Sequence, residues 1–252
     1  MNGLFADLGR IIAHHNVILA FDFDGTLSEF TDMPRNAIVS RKMQLALTKA
    51  EVDSKIIVIS SRNTAFLREK LKFLRNLQIY GLHGLETPTK TKSLSLAEMI
   101  SLVSLKHSVN AIIENERHAW IEDKPAGFCI HFRGATGREF EKLSLMARKT
   151  AENAGFKAYR GARALEVLSK ESPTKARILE EIAEAMGARN LLFYFGDDEA
   201  DEEAFARVRQ FKRAITVAIG RKETTAKYSC RDIKELTRLI TKISKIIKAK
   251  KR

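Results

Sequence analysis

Residues 20–30 read AFDFDGTLSEF, and they follow directly on the apolar run Val17-Ile18-Leu19. Two aspartates one residue apart at the end of such a run need a physical reason. At 4 Å and an effective dielectric near 20, two like charges repel by about 4 kcal/mol. Asp24-Gly25 alone is an ordinary turn after a buried strand. Asp22 is different, because the strand holds it at its buried carboxyl end.

Working outward, five apolar runs read as buried parallel strands: 17–21, 55–59, 78–80, 191–195 and 214–219. Helical periodicity separates them, over 2–15, 36–50, 65–74, 174–186, 202–209 and 234–248. Alternation of this kind predicts an α/β fold, a Rossmann-like doubly wound parallel sheet covered on both faces. Ligands in such folds sit beyond the carboxyl ends of the strands. Those ends read Asp22-Phe23-Asp24, Ser60-Ser61-Arg62, Gly81-Leu82-His83-Gly84 and Gly196-Asp197-Asp198. Polar chemistry therefore collects at one edge.

Between about residues 90 and 170 the pattern changes to helix, hairpin, helix, hairpin, with the second hairpin turning at Arg160-Gly161. This predicts an inserted α/β cap domain over 90–169, with the catalytic core assembled from 1–89 and 170–252. Trp120 and the scattered phenylalanines read most simply as core residues.

The second acidic group, YFGDDEADEEAF, again follows an apolar run. Asp201 reads as a helix cap, with Glu202 and Glu203 at the positive end of the helix dipole. That accounts for neither Asp197 nor Asp198. Two acidic groups side by side need a compensating cation, and an all-oxygen site that also binds phosphate suits Mg²⁺. No Cys/His cluster suggests zinc.

The chain has 252 residues and a formal net charge of +13. The excess fits nucleic-acid binding or the steering of an anionic small substrate. Part of it is local: RLITKISKIIKAKKR, from Arg238 to the end, holds no acid and reads as an amphipathic helix with a frayed basic end. No apolar run approaches the roughly 20 residues that span a bilayer, and the N-terminus lacks a signal-peptide pattern. With two distant cysteines and no CxxC, the expectation is a reducing, cytoplasmic setting and no membrane partner.

DFDGTL, SSR, the lysine of SPTKARIL and GDDEADEEAF resemble, in order, the four motifs of the haloacid dehalogenase-like phosphatases. Within that superfamily GLHGLE, IEDKPAGFCIHFR, ALEV and DEEAF are similar to the trehalose-6-phosphate phosphatases, and the likeness covers nearly the whole chain. The chain departs in having Ser61 and Ala176 where these proteins usually or often have glycine.

The resemblance implies Mg²⁺-dependent hydrolysis of a sugar phosphate. Asp22 would be the nucleophile, and Asp24 the general acid and base. Ser60 and Lys175 would hold the phosphoryl oxygens. Asp22, the Asp24 carbonyl and Asp197 would bind the metal, with Asp198 and Asp201 orienting its waters. Taken alone, Lys175 reads as a solvated first-turn lysine.

For the sugar, the candidates are Glu122, Lys124, His131, Arg133 and Glu166 of the cap. Arg62, His83 and Glu86 past the core strands join them. Trehalose 6-phosphate is the expected substrate, ahead of sucrose 6-phosphate and mannosyl-3-phosphoglycerate. A nucleic-acid-binding protein on this scaffold is disfavoured by the intact motif residues, so no specific nucleic acid is expected, and the chain reads as a monomer.

Overall fold

The computed structural model describes residues 2–251 apart from Asp32, Lys92, Arg133, Ala162 and Lys222. The chain divides into two compact units. Residues 1–88, 174–197 and 201–252 form the first, and 89–173 with 198–200 form the second.

In the first unit, β1 (Asn16–Phe21), β2 (Lys55–Ile59), β3 (Leu77–Tyr80), β8 (Asn190–Gly196), β9 (Ala214–Ile219) and β10 (Tyr228–Cys230) form one sheet. All pairings are parallel, in the order β10-β9-β8-β1-β2-β3. The chain thus moves outward from β1 one way and from β8 the other, which makes the β1/β8 junction the point where strand order reverses. One face packs on α1 (Asn2–Ile12), α2 (Arg41–Glu51), α3 (Thr64–Lys70) and α8 (Ile233–Lys250), through side chains such as Leu8, Met43, Leu67 and Leu239. The other packs on α6 (Lys175–Ala185) and α7 (Glu199–Val208), through Leu179 and Phe205.

Four readings of the sequence need correction. Pro34–Asn36 is a 3-10 turn, and α2 starts only at Arg41, where the Ser40 hydroxyl accepts from the Met43 N–H. Asp201 lies inside α7 and caps nothing at Glu202. The short strand β10 follows no apolar run in the sequence. The basic C-terminal segment is helical further than expected: α8 continues to Lys250, Ile243 and Ile247 are buried, and Lys251 pairs with Asp53 at 2.8 Å.

In the second unit, β4 (Trp120–Lys124), β5 (Gly127–His131), β6 (Lys157–Arg160) and β7 (Ala164–Leu168) form an antiparallel sheet in the order β4-β5-β7-β6. Helices α4 (Leu96–Ile113) and α5 (Gly137–Asn153) each begin with a capping box, Ser95/Glu98 and Thr136/Glu139. Both pack on the sheet face carrying Phe128, Ile130, Leu165 and Val167. By alternation, the opposite face carries Trp120, Glu122, Lys124, Cys129, His131, Tyr159 and Glu166. Trp120 is therefore no core residue: it is 39% exposed. By length and composition alone α4 is the one helix among the described residues able to cross a membrane, although Leu105, Val109 and Ile113 are buried in this unit's own core.

Candidate active site

Register explains why the acidic groups meet. Phe21 is paired with Phe195, their rings stack at 4.8 Å, and the Asp22 N–H donates to the Phe195 carbonyl at 2.8 Å. The chain beyond both strands therefore emerges together at the switch point, where open α/β sheets bind ligands. Strand alternation, continued one residue past Phe21, puts Asp22 on the face shared by Ala20, where α6 packs.

Asp22 is 3% exposed and Lys175, the first residue of α6, 1%. The Lys175 ammonium donates to Asp22 Oδ1 at 2.8 Å and to Asp201 Oδ1 at 3.0 Å. A cation at a helix N-terminus opposes the helix dipole, and a buried one needs paired charge. Lys175 is thus not the solvated lysine that its local sequence permits. Asp201 is fully buried and organises the cluster: Oδ1 also accepts from the Tyr194 hydroxyl at 2.6 Å, and Oδ2 from the Asp197 N–H at 2.8 Å. Burial, and next the Asp201 charge, raise the Tyr194 pKa well above its ordinary value, so this hydroxyl remains a donor.

Asp197 Oδ1 accepts from the Thr26 hydroxyl at 2.9 Å. Carboxylate oxygens of Asp22, Asp197 and Asp201 lie within 4.8 Å of one another. Gly25 makes room for this: at φ +85° it turns the chain so tightly that a Cβ would stand 2.2 Å from Asp197 Oδ2. Gly25→Ala is expected to lower the melting temperature. The left-handed backbone costs about 1–2 kcal/mol for a side chain even before the clash. Unchanged melting would show that the loop relaxes freely.

Asp24 points to a different partner. The Arg62 guanidinium grips it with two parallel bonds, Nε to Oδ2 at 2.7 Å and an Nη to Oδ1 at 2.8 Å. Arg62, a sugar candidate in the sequence, thus holds Asp24 here. Ser60 is buried at the end of β2, and its hydroxyl accepts from the Arg62 N–H at 3.2 Å. His83 is buried in a 3-10 turn at φ 56°. Glu86 accepts from the Thr64 N–H, the first of α3, at 2.5 Å. Asp198 is half-buried after β8. Thr26 and Tyr194 were not singled out in the sequence. The threonine stands in a motif already noted, while the tyrosine hides inside an apolar run.

The sugar candidates of the second unit sit on its polar sheet face. Glu122 Oε2 is 2.7 Å from His131 Nε2, and the Trp120 ring stacks on the His131 ring at 4.9 Å and 21°. Lys124 pairs with Glu166. Burial pulls the Lys124 pKa down, but the charges of Glu166, and less so Cys129 and Glu122, outweigh it and leave it above the ordinary value. Arg133 lies outside the described residues.

A parallel core of this strand order, with aspartates at its switch point and an inserted antiparallel unit, is the fold of the haloacid dehalogenase-like hydrolases. The family described as Trehalose-phosphatase matches residues 20–234, and the chain belongs to it. The C-terminal domain of Candida albicans trehalose-6-phosphate phosphatase shares the fold at a TM-score of 0.81 and 20% identity, over 96% of both chains. A trehalose 6-phosphate phosphatase of Zea mays is 25% identical over 255 residues, covering 90% of this chain and 70% of that protein. An uncharacterized glycosyl hydrolase of Mycobacterium tuberculosis is 26% identical over 217 residues, 82% of this chain. The chain corresponds to 16% of that relative's length.

Proposed function

We propose that this protein is a Mg²⁺-dependent phosphatase that hydrolyses trehalose 6-phosphate to trehalose and phosphate. The observation that carries the reading is Asp22: a buried carboxylate at the switch point, held by Lys175 within a family-matched segment. Its Oδ attacks phosphorus as the phosphorus–sugar-oxygen bond breaks, and Asp24 gives the departing oxygen its proton. Water then attacks the aspartyl phosphate, Asp24 takes a proton back, and Asp22 and phosphate separate. To carry the proton it gives, Asp24 keeps one oxygen on Arg62 and frees the other of the two that Arg62 holds in the resting site, and Lys175 and Ser60 supply positive charge and a hydroxyl to the phosphoryl oxygens.

The residues present fit a divalent cation. Three carboxylates and one ammonium leave a formal charge of about −2, and every donor is a hard oxygen. Asp22, the Asp24 carbonyl and Asp197 would hold the ion. Asp201, whose oxygens already serve Tyr194, Lys175 and the Asp197 N–H, would fix its surroundings, with Asp198 beside it. Bound Mg²⁺ supplies charge neutralisation for the incoming phosphate and Lewis-acid polarisation of the phosphoryl group. A cytoplasmic setting fits the two cysteines, which are buried and not joined in a disulfide.

Sugar recognition falls to Glu122, Lys124, His131, Glu166 and Arg133. The pairs Glu122–His131 and Lys124–Glu166 hold their donors and acceptors in fixed positions, ready for hydroxyls. The test is Glu122→Ala or Lys124→Ala. Each is expected to lower kcat/KM for trehalose 6-phosphate about tenfold or more beyond any loss on a small aryl phosphate, since one charged hydrogen bond contributes about 1.5–3 kcal/mol. Equal losses on both substrates would place the damage in folding. No loss on either would remove this sheet face from recognition.

A further inference from the structure

The polar sheet face of the second unit carries one side chain that a set of hydrogen-bonding groups does not need. Trp120 starts β4 and stays 39% exposed, while on the same face His131, Lys124 and Glu166 are tucked down at 7%, 13% and 13% of side-chain exposure and Glu122 is open at 42%. Leaving an indole in water forfeits the benefit of burying one of the largest apolar surfaces in the chain. This indole is not loose either. It lies nearly parallel to the His131 imidazole, 21° apart with centroids at 4.9 Å, and His131 is itself tied to Glu122 at 2.7 Å. A stacked neighbour occupies one face of an aromatic ring, and the exposure that remains matches an open second face.

We infer that Trp120 is a carbohydrate-stacking residue, and that the C–H face of a pyranose ring packs on its open side. The inference deepens the sugar-phosphatase reading and rests on it. An aromatic face is electrically negative, and the C–H face of a pyranose is weakly positive and apolar, so the two attract. The ring's hydroxyls project around its rim, where Glu122 and Lys124, at alternate positions of the same strand, share the indole's side of the sheet. His131 backs the indole and is fixed by Glu122, so a sugar meets a platform already in place. The polar groups read hydroxyl positions. The indole reads the presence of a flat sugar face, and so separates sugar phosphates from acyclic or purely anionic phosphates.

Trp120 is the only tryptophan in the chain, so its emission reports this position alone. The full-length protein is titrated with trehalose, with glycerol, and with inorganic phosphate. Trehalose is expected to change the emission saturably, and the other two are not. In turnover, Trp120→Ala is expected to raise KM for trehalose 6-phosphate about two- to tenfold with little change in kcat, and Trp120→Phe to restore most of the loss. A merely structural indole would give no ligand-dependent emission and no KM-specific loss with rescue by Phe. Wild-type protein that turns over trehalose 6-phosphate while its emission ignores saturating trehalose would overturn the inference. So would a Trp120→Ala protein with unaltered KM. If wild type cleaves aryl phosphate but not trehalose 6-phosphate, the substrate reading fails instead. The emission titration is then repeated with sucrose, mannose and glucose, and silence with all of them would overturn the stacking role as well.

Discussion

Asp22→Asn protein, purified and folded, is expected to release phosphate from trehalose 6-phosphate at least about a thousandfold more slowly than wild type, as removal of a covalent nucleophile does elsewhere. The amide has nearly the carboxylate's shape, and its oxygen still accepts from Lys175, which also keeps Asp201 as a partner. The fold is therefore retained while the atom that attacks phosphorus loses its charge. Replacing Lys175 is a blunter change. It strips the ammonium that pairs with the buried Asp22 and Asp201 carboxylates, and orphaning a buried charge costs about 3–5 kcal/mol. Asp22→Asn thus separates chemistry from stability, and circular dichroism with a melting curve confirms the separation. Phosphate release within a few-fold of wild type from a folded Asp22→Asn protein would remove Asp22 from the role assigned to it.

Exhaustive treatment with a chelator is expected to abolish turnover, and Mg²⁺ to restore it. Ca²⁺ is expected to restore little, because it seeks six to eight ligands at longer distances. A second readout needs no catalysis. An ion that binds only the folded chain raises its stability by about 2.7 kcal/mol at a hundredfold excess over Kd, so the melting temperature should climb with Mg²⁺ concentration. The climb should be lost in Asp197→Ala, which removes a carboxylate within 4.8 Å of the other two. Full activity in protein shown by elemental analysis to be metal-free would contradict the assignment.

The core strands were legible because a strand buried on both faces has no room for polar side chains and appears as an unbroken apolar run. Strand β10 escaped for the opposite reason: Tyr228-Ser229-Cys230 is a three-residue edge strand with one buried residue and no run. The start of α2 was placed early because nothing in the local sequence marks Pro34–Asn36 as a separate 3-10 turn ahead of the Ser40 cap. Motif residues stood out by charge, but their couplings did not. The Arg62 grip on Asp24 joins positions 38 apart in the sequence, and the Tyr194 bond to Asp201 hides in an apolar run. On hydrophobicity alone Trp120 reads as a core residue. Only the register of β4 against β5 reveals which face it occupies.

The position of β1 between β2 and β8 has a consequence for synthesis. Val17–Phe21 is almost wholly apolar and pairs on one flank with residues 191–195, which leave the ribosome on the order of ten seconds or more after it at 5–20 residues per second. Throughout that interval β2 can pair with one edge and α1, α2 and α3 can cover one face, but the other edge stays an open template for foreign strands. Leu96–Leu168, by contrast, brings its own four strands and two helices together from one contiguous stretch and can complete them while the core waits. Chains that stop between residues 168 and 190 therefore hold every strand of the insertion but lack β8, and their core sheet stays unfinished.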